Sequence, residues 1–224
     1  ALTYILTLGR EGVPQASQNA VLNANYLMNG LKDLYPMAYD TLCMHEFVMS
    51  LKELQKKDGI SAMDIAKGLL DRGGRLITLT WNYENVLGHP NHRDPEKSSL
   101  GLTPFGFEAV EEMERLGMIV DVSHLSDGGF YDVANRARKP FVASHSNARA
   151  LCPHPRNLTD DMNRALAQQG GVAGLNFCPS FLVEKAGRTV VGMVAHLSHM
   201  NRVGGEDVAA IGTDFVGSDG ELEI

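Results

Sequence analysis

The sequence predicts an α/β fold built on a mainly parallel sheet. Three observations carry this. Short apolar runs recur at intervals from Leu76 onward. Segments with helical spacing of apolar residues stand between them. The runs are continuously apolar rather than alternating, as in strands covered on both faces. Parallel neighbours need a crossover connection, which the intervening helices supply. A (β/α)8 barrel and an open doubly wound sheet both fit this pattern.

The elements follow in order. Leu76–Thr80 (LITLT) reads as a strand, followed by a polar loop from Trp81 to Leu102 rich in Asn, Gly, His and Pro. A helix opens with Thr103 as N-cap and Pro104 at its first turn, and stops at Gly117. Strand Ile119–Ser123, helix Asp127–Ala137 and strand Phe141–Ser144 come next. Helix Thr159–Gln169 ends at Gly170-Gly171, then strand Val172–Asn176, helix Val190–Arg202 and strand Val208–Gly212 complete the series. The first third is less regular. Helices are expected at Ser17–Leu34 and Met44–Lys56, and a strand at Gly59–Met63 that runs abruptly into Asp64.

Composition narrows the function. The chain has 224 residues, 44% hydrophobic and 21% charged, enough to bury a sizeable core. Its net charge is −7 with no basic run, which argues against nucleic acid as a partner, because phosphate binding needs clustered Lys and Arg. No apolar run reaches the ~20 residues of a membrane span. Cys43, Cys152 and Cys178 are too scattered for a disulfide framework, so a reduced, cytoplasmic location is expected. No signal peptide is visible at Ala1–Ile5, and a segment upstream is expected since the chain does not open on Met.

The chemistry gathers where strands end. His124, His145 and Asp214 stand at or just past the C-terminal ends of three predicted strands, the edge at which α/β folds bind ligands. Strand alternation groups His124 with Val120 and Val122, and His145 with Phe141 and Ala143. It groups Asp214 with Ala210 and Gly212. If those faces point inward, the side chains converge. Two imidazoles and a carboxylate suit Zn²⁺, which lowers the pKa of a bound water to around 7. Arg156 lies in Pro153-His154-Pro155-Arg156-Asn157, a stiff loop that presents a guanidinium for bidentate capture of a carboxylate. A salt bridge to Asp160 or Asp161 competes with that role. His196 and His199 are three apart on a helix and could chelate, but are expected on a solvated face. His89 and His92 read as polar loop residues, and His45-Glu46 has no partner at ligand spacing. Asn157-Leu158-Thr159 matches a glycosylation sequon, for which Thr159 as a helix cap is the better account.

Four stretches together resemble the membrane (renal) dipeptidase family, the M19 zinc peptidases, in its bacterial form. They are LITLTWNYEN (Leu76–Asn85), GLTPFGFEAVEEMERLGMIVDVSHLS (Gly101–Ser126), FVASHSNARALCPHPRNLTDD (Phe141–Asp161) and IGTDFVG (Ile211–Gly217). The likeness runs from about Ile60 to Gly217. It implies a (β/α)8 barrel with two zinc ions that hydrolyses dipeptides through a metal-activated bridging hydroxide, commonly as a homodimer. By position, His124 and His145 resemble the histidines of the second zinc. Arg156 resembles the arginine that holds the substrate's C-terminal carboxylate, and Asp214 the acid that protonates the leaving amine. Asn82 and Asn176 are candidates to line the pocket.

The sequence departs from the family in three places. The His-x-Asp of the first strand and the bridging Glu of an E-G-G-like stretch, both metal ligands, do not stand in it. The single catalytic barrel is therefore expected to lack segments before residue 1, near 63–64 and after 224. Trp81 takes the place of a substrate-contacting His of the mammalian members, which bears on specificity rather than hydrolysis. The rival readings are an amidohydrolase acting on N-acyl amino acids or lactones, and a metal-deficient binding protein.

Overall fold

The computed structural model describes residues 2–33, 37, 41–44, 56–59, 64, 74–182 and 190–214. Two compact units divide the chain: Ala1–Arg72 with Val216–Ile224, and Gly73–Phe215.

In the first unit, helix α1 (Leu2–Leu31) is broken at Gly9, whose φ of 64° and ψ of −171° lie outside the helical range. It starts earlier than the Ser17 expected from sequence. Ala24 and Met28, one turn apart, are buried, while Leu22, Tyr26 and Leu27 are exposed. The Asn25 side chain clasps Cys43: its Nδ2 donates to Cys43 O (2.5 Å) and its Oδ1 accepts from Cys43 N (3.0 Å). The expected strand at 59–63 and most of the helix at 44–56 lie outside the described residues.

The second unit holds β1 (Leu76–Thr78), α2 (Pro95–Ser98), α3 (Pro104–Leu116), β2 (Ile119–Asp121), α4 (Asp127–Arg136), α5 (Asp160–Gln168), β3 (Ala173–Leu175), a 3₁₀ turn at Pro179–Phe181, α6 (Val190–Gly204) and β4 (Ala209–Ile211). Three caps stand where the sequence placed them. Thr103 and Thr159 accept from the amides of Gly106 and Met162, and Gly117 closes α3 in the left-handed region (φ 75°). Ser126 caps α4 in the same way, accepting from Gly129 N.

β1 pairs with β2 in parallel, in the register Ile77 with Val120, and β3 pairs with β4, Gly174 with Ala210. The segment 141–144 joins the two pairs through single parallel bridges, Asp121 with Val142 and Ala143 with Ala173. It is thus a thinner element than the strand expected there. The order along the sheet is the order along the chain, five parallel segments without a reversal. A doubly wound sheet reverses its order at a switch point. Among the described residues the sheet instead forms a singly wound, open arc.

Helices α3 and α4 cover the arc with Val110, Met113, Phe130 and Val133, and α5 adds Met162 and Leu166, all 2% exposed or less. The C-terminal ends of three neighbouring segments pinch together. A Cβ on Gly174 would stand 2.0 Å from Ser144 O, and one on Gly212 would stand 1.6 Å from the same oxygen. Only glycine permits this approach. It brings the residues after Ser144, Leu175 and Ile211 to one place.

Candidate active site

His124, His145, Asn176 and Asp214 stand just beyond the ends of parallel segments, and Asn82 and Arg156 lie in longer loops. After β2 the chain leaves extended geometry at once. Ser123 N donates to Asp121 Oδ1 (3.0 Å) and Leu125 N to Val122 O (3.1 Å), forming a turn that holds His124 at φ 69°. The loop 89–91 clamps this turn through Asn91 N to His124 O (2.7 Å) and Ser126 N to His89 O (3.0 Å). Asp214, three residues past β4, has φ 48°. These two are the non-glycine residues at positive φ among the described residues, and such strain collects at functional sites. The strand-alternation argument for His124 and Asp214 is therefore corrected. Neither lies on a strand; a left-handed turn, not the pleat, aims each side chain.

The arrangement brings the predicted residues together in two linked groups. The imidazoles of His124 and His145 are 5.0 Å apart between ring centroids, with planes at 62°. Asn82 Oδ1 accepts from His124 Nδ1–H (2.9 Å). Asn176 Nδ2 donates to Asp214 Oδ2 (2.9 Å) and lies 3.4 Å from His145 O. Arg156 Nη2 donates to the same His145 carbonyl (3.4 Å). All six candidates are thus connected through side chains or through the backbone of His145.

Electrostatics sharpen the roles. His124 is buried, and burial first, then the charge of Arg156 and the neighbouring His145, lower its pKa to about 2. It is therefore a neutral imidazole with lone-pair capacity at any working pH. Arg156 is 5% exposed, its guanidinium 5.5 Å from the Phe181 ring centroid. Its Nε and Nη1 are buried without a hydrogen-bond partner. Burial lowers its pKa to about 10, opposed by Asp214, Asp121 and Cys178. Two unpaired donors on a buried cation leave hydrogen-bonding capacity for an anion. The competing salt bridge does not form: Asp160 pairs with His199 and Asp161 with Arg164.

Supporting residues not singled out in the sequence hold this geometry. Arg149 grips Asp127 with two 2.7 Å bonds and also donates to Asn157 O and Pro155 O, bracing the loop that carries Arg156. Asn147 and Asn176 exchange bonds, Asn176 N to Asn147 Oδ1 (2.7 Å) and Asn147 Nδ2 to Asn176 O (2.9 Å), tying the loop after 144 to the end of β3. Asp121, 0% exposed, accepts from the amides of Ser123 and Ser144, the residues that precede the two histidines. The signal for Asp121 was visible as a charge inside the apolar run Ile119-Val120-Asp121-Val122.

His196 and His199 are corrected from their expected solvated face. They are 0% and 8% exposed. His196 Nδ1 accepts from Ala148 N (3.1 Å) and its Nε2–H donates to Leu182 O, while His199 joins Asp160 to Arg202. They brace α6 and do not chelate together. His89 behaves as a loop residue, its Nδ1 bonded to Gly101 O (2.9 Å). Asn157 is 1% exposed.

Burial lowers the pKa of His124, His154 and His196 below the ordinary value of about 6.5. The unfolded chain then binds protons first, so stability is full above pH ~6.5 and falls as pH drops below it. The urea midpoint of the metal-free protein should be level from pH 8 to 7 and decline steadily toward pH 5. A midpoint independent of pH over that range would contradict the neutral, buried state of these rings.

Among the described residues, no three His, Cys, Asp or Glu side chains stand close enough to hold a metal by themselves. The two imidazoles nonetheless fit part of a metal shell. Both have Nδ1 engaged by an oxygen, and His124 is held neutral. No helix among the described residues is long and apolar enough to cross a membrane.

Residues 49–223 match the model of the membrane dipeptidase family, peptidase family M19. The chain is 39% identical over 152 residues to the "uncharacterized protein in pqqA 5'region" of Klebsiella pneumoniae, covering 65% of this chain and 56% of that one. It is 33% identical over 171 residues to the uncharacterized dipeptidase C965.12 of Schizosaccharomyces pombe, covering 71% of this chain and 40% of that one. Its fold superposes with a TM-score of 0.61 on a metallo peptidase from Rhodobacter sphaeroides liganded with a phosphinate mimic of the dipeptide L-Ala-D-Ala. That match has 36% identity and covers 67% of this chain and 45% of that one. The chain spans about half the length of the relatives it matches. With a family match across most of its residues, the chain belongs to the membrane dipeptidase family, peptidase family M19.

Proposed function

We propose that the chain carries the catalytic site of a zinc-dependent dipeptidase on a (β/α)8 barrel, of which the open arc is a part. One observation carries the reading. A buried guanidinium with two unpaired donors stands at the same strand-end region as two imidazoles and a carboxylate.

Arg156 binds the substrate's C-terminal carboxylate with its guanidinium, which fixes the scissile bond's distance from the histidines. His124 and His145 would hold zinc. When bound, zinc supplies Lewis acidity and brings the pKa of water near neutrality. Two ions are proposed, in keeping with the family resemblance, although the family's ligands to the first ion do not stand in this sequence. Asp214 receives the proton of the attacking water and passes it to the leaving amine, as general base and then general acid. Asn176 Nδ2 holds one Asp214 oxygen, leaving the other for that proton. Asn82 holds His124, and Trp81, 58% exposed beside it, forms the rim on the substrate side.

The test pairs metal content with substrate choice. Zinc-loaded protein should hydrolyse dipeptides with a free C-terminal carboxylate and spare their C-terminal amides. His145→Ala should reduce kcat/KM more than 100-fold, a rough expectation for losing a metal ligand. Zinc uptake with cleavage of lactones or N-acyl amino acids, but not dipeptides, would favour the amidohydrolase reading. A protein that takes up no zinc would favour the non-catalytic one.

A further inference from the structure

Asp121 is the most deeply buried carboxylate described, and its surroundings exceed what a sheet needs. Each of its oxygens accepts two bonds. Oδ1 takes Ser123 N (3.0 Å) and Ser144 N (2.8 Å), and Oδ2 takes Thr78 Oγ1 (2.7 Å) and Ser144 Oγ (2.5 Å). The backbone pair ties the ends of β2 and the 141–144 segment together and is accounted for by folding. The Ser144 hydroxyl is not. Its Oγ also lies 2.7 Å from His145 Nδ1.

A hydroxyl has one proton. The carboxylate is the stronger acceptor, and the shorter contact is to it, so the proton of Ser144 goes to Asp121 Oδ2. The contact to His145 is then attractive only if the imidazole donates, with its proton on Nδ1. An isolated imidazole side chain in water favours the proton on Nε2. The arrangement therefore imposes the less common tautomer and puts the ring's acceptor lone pair on Nε2. Asn82 Oδ1 imposes the same tautomer on His124 from a different element.

We infer that Asp121 is a positioning residue that acts through the Ser144 hydroxyl to fix His145 in the Nδ1–H tautomer, aiming Nε2 at a metal. The inference rests on the proposal that His145 is a metal ligand. Groups bonded to the outer nitrogen of a ligating histidine typically account for about 10–100-fold in metal affinity.

The test uses the whole chain in wild-type form and as Ser144→Ala, Ser144→Thr and Asp121→Asn. Ser144→Ala keeps the backbone bond to Asp121, so it should fold even if Asp121→Asn does not. Ring ¹⁵N shifts in metal-stripped protein report the His145 tautomer, and competition with a chromophoric chelator reports zinc affinity. The expectation is Nδ1–H in the wild type, a shift toward Nε2–H in Ser144→Ala with zinc binding weakened about 10–100-fold, and recovery of both in Ser144→Thr. An Nε2–H wild type, or a Ser144→Ala protein with unchanged tautomer and affinity, overturns the relay. Wild-type protein that binds no zinc while showing the Nδ1–H tautomer overturns the metal reading and leaves only the hydrogen-bond chain. The two failures are therefore distinct.

Discussion

Arg156→Met should raise KM for dipeptides roughly 100-fold while leaving the melting temperature unchanged or higher. The two halves of this result have one cause. The guanidinium is 5% exposed, with Nε and Nη1 unpaired, so the folded chain carries a cation that is incompletely compensated. Burial lowers its pKa to about 10, a shift that opposes folding below pH ~10 and is relieved as pH rises above it. Replacing such a group with an apolar one of similar volume is neutral or stabilising. Losing a buried charge-assisted bond to a substrate carboxylate costs about 3 kcal/mol, or roughly two orders of magnitude in binding. Arg156→Lys should also bind poorly, because an ammonium lacks the planar fork. Loss of stability with unchanged KM would instead make Arg156 a structural cation. The lactone form of the amidohydrolase rival separates here too, since a lactone offers no carboxylate to hold.

Asp214→Asn should lower kcat about 10²–10⁴-fold, the usual contribution of a positioned acid–base group, without lowering metal content. The amide can still accept from Asn176 Nδ2 but cannot carry the proton. Asn176→Ala should give a smaller loss in kcat, because it releases one Asp214 oxygen and leaves the carboxylate in place. Equal losses of zinc and activity in Asp214→Asn would move Asp214 from proton transfer to metal binding. Pre-steady-state measurement of amine release separates a chemical defect from slow product departure.

Much of this site was legible as sequence. His124, His145 and Asp214 were marked because polar residues closed apolar runs, and that signal survives because strands of a parallel sheet end together at one edge. Thr103, Gly117 and Thr159 were legible because capping is local chemistry. Three matters were not. The strand-alternation argument failed at His124 because a two-residue turn after Asp121 resets the side-chain direction. His196 and His199 looked exposed because helix spacing does not show which face a neighbour covers. Arg149 and Asn147 carry no local signal because their partners, Asp127 and Asn176, lie 22 and 29 residues away.

By itself the sequence determined the α/β alternation, the caps that bound its helices and the kinds of side chain placed at strand ends. These depend on neighbours within a few residues, through backbone preference and periodicity. Only the tertiary structure decided the singly wound order, the pinch of Gly174 and Gly212 on Ser144, and the unpaired state of the Arg156 guanidinium. Only it showed that Asp121 reaches His145 through a serine hydroxyl. These depend on segments far apart in the chain, and a side chain's partners and solvation exist only once those segments are packed together.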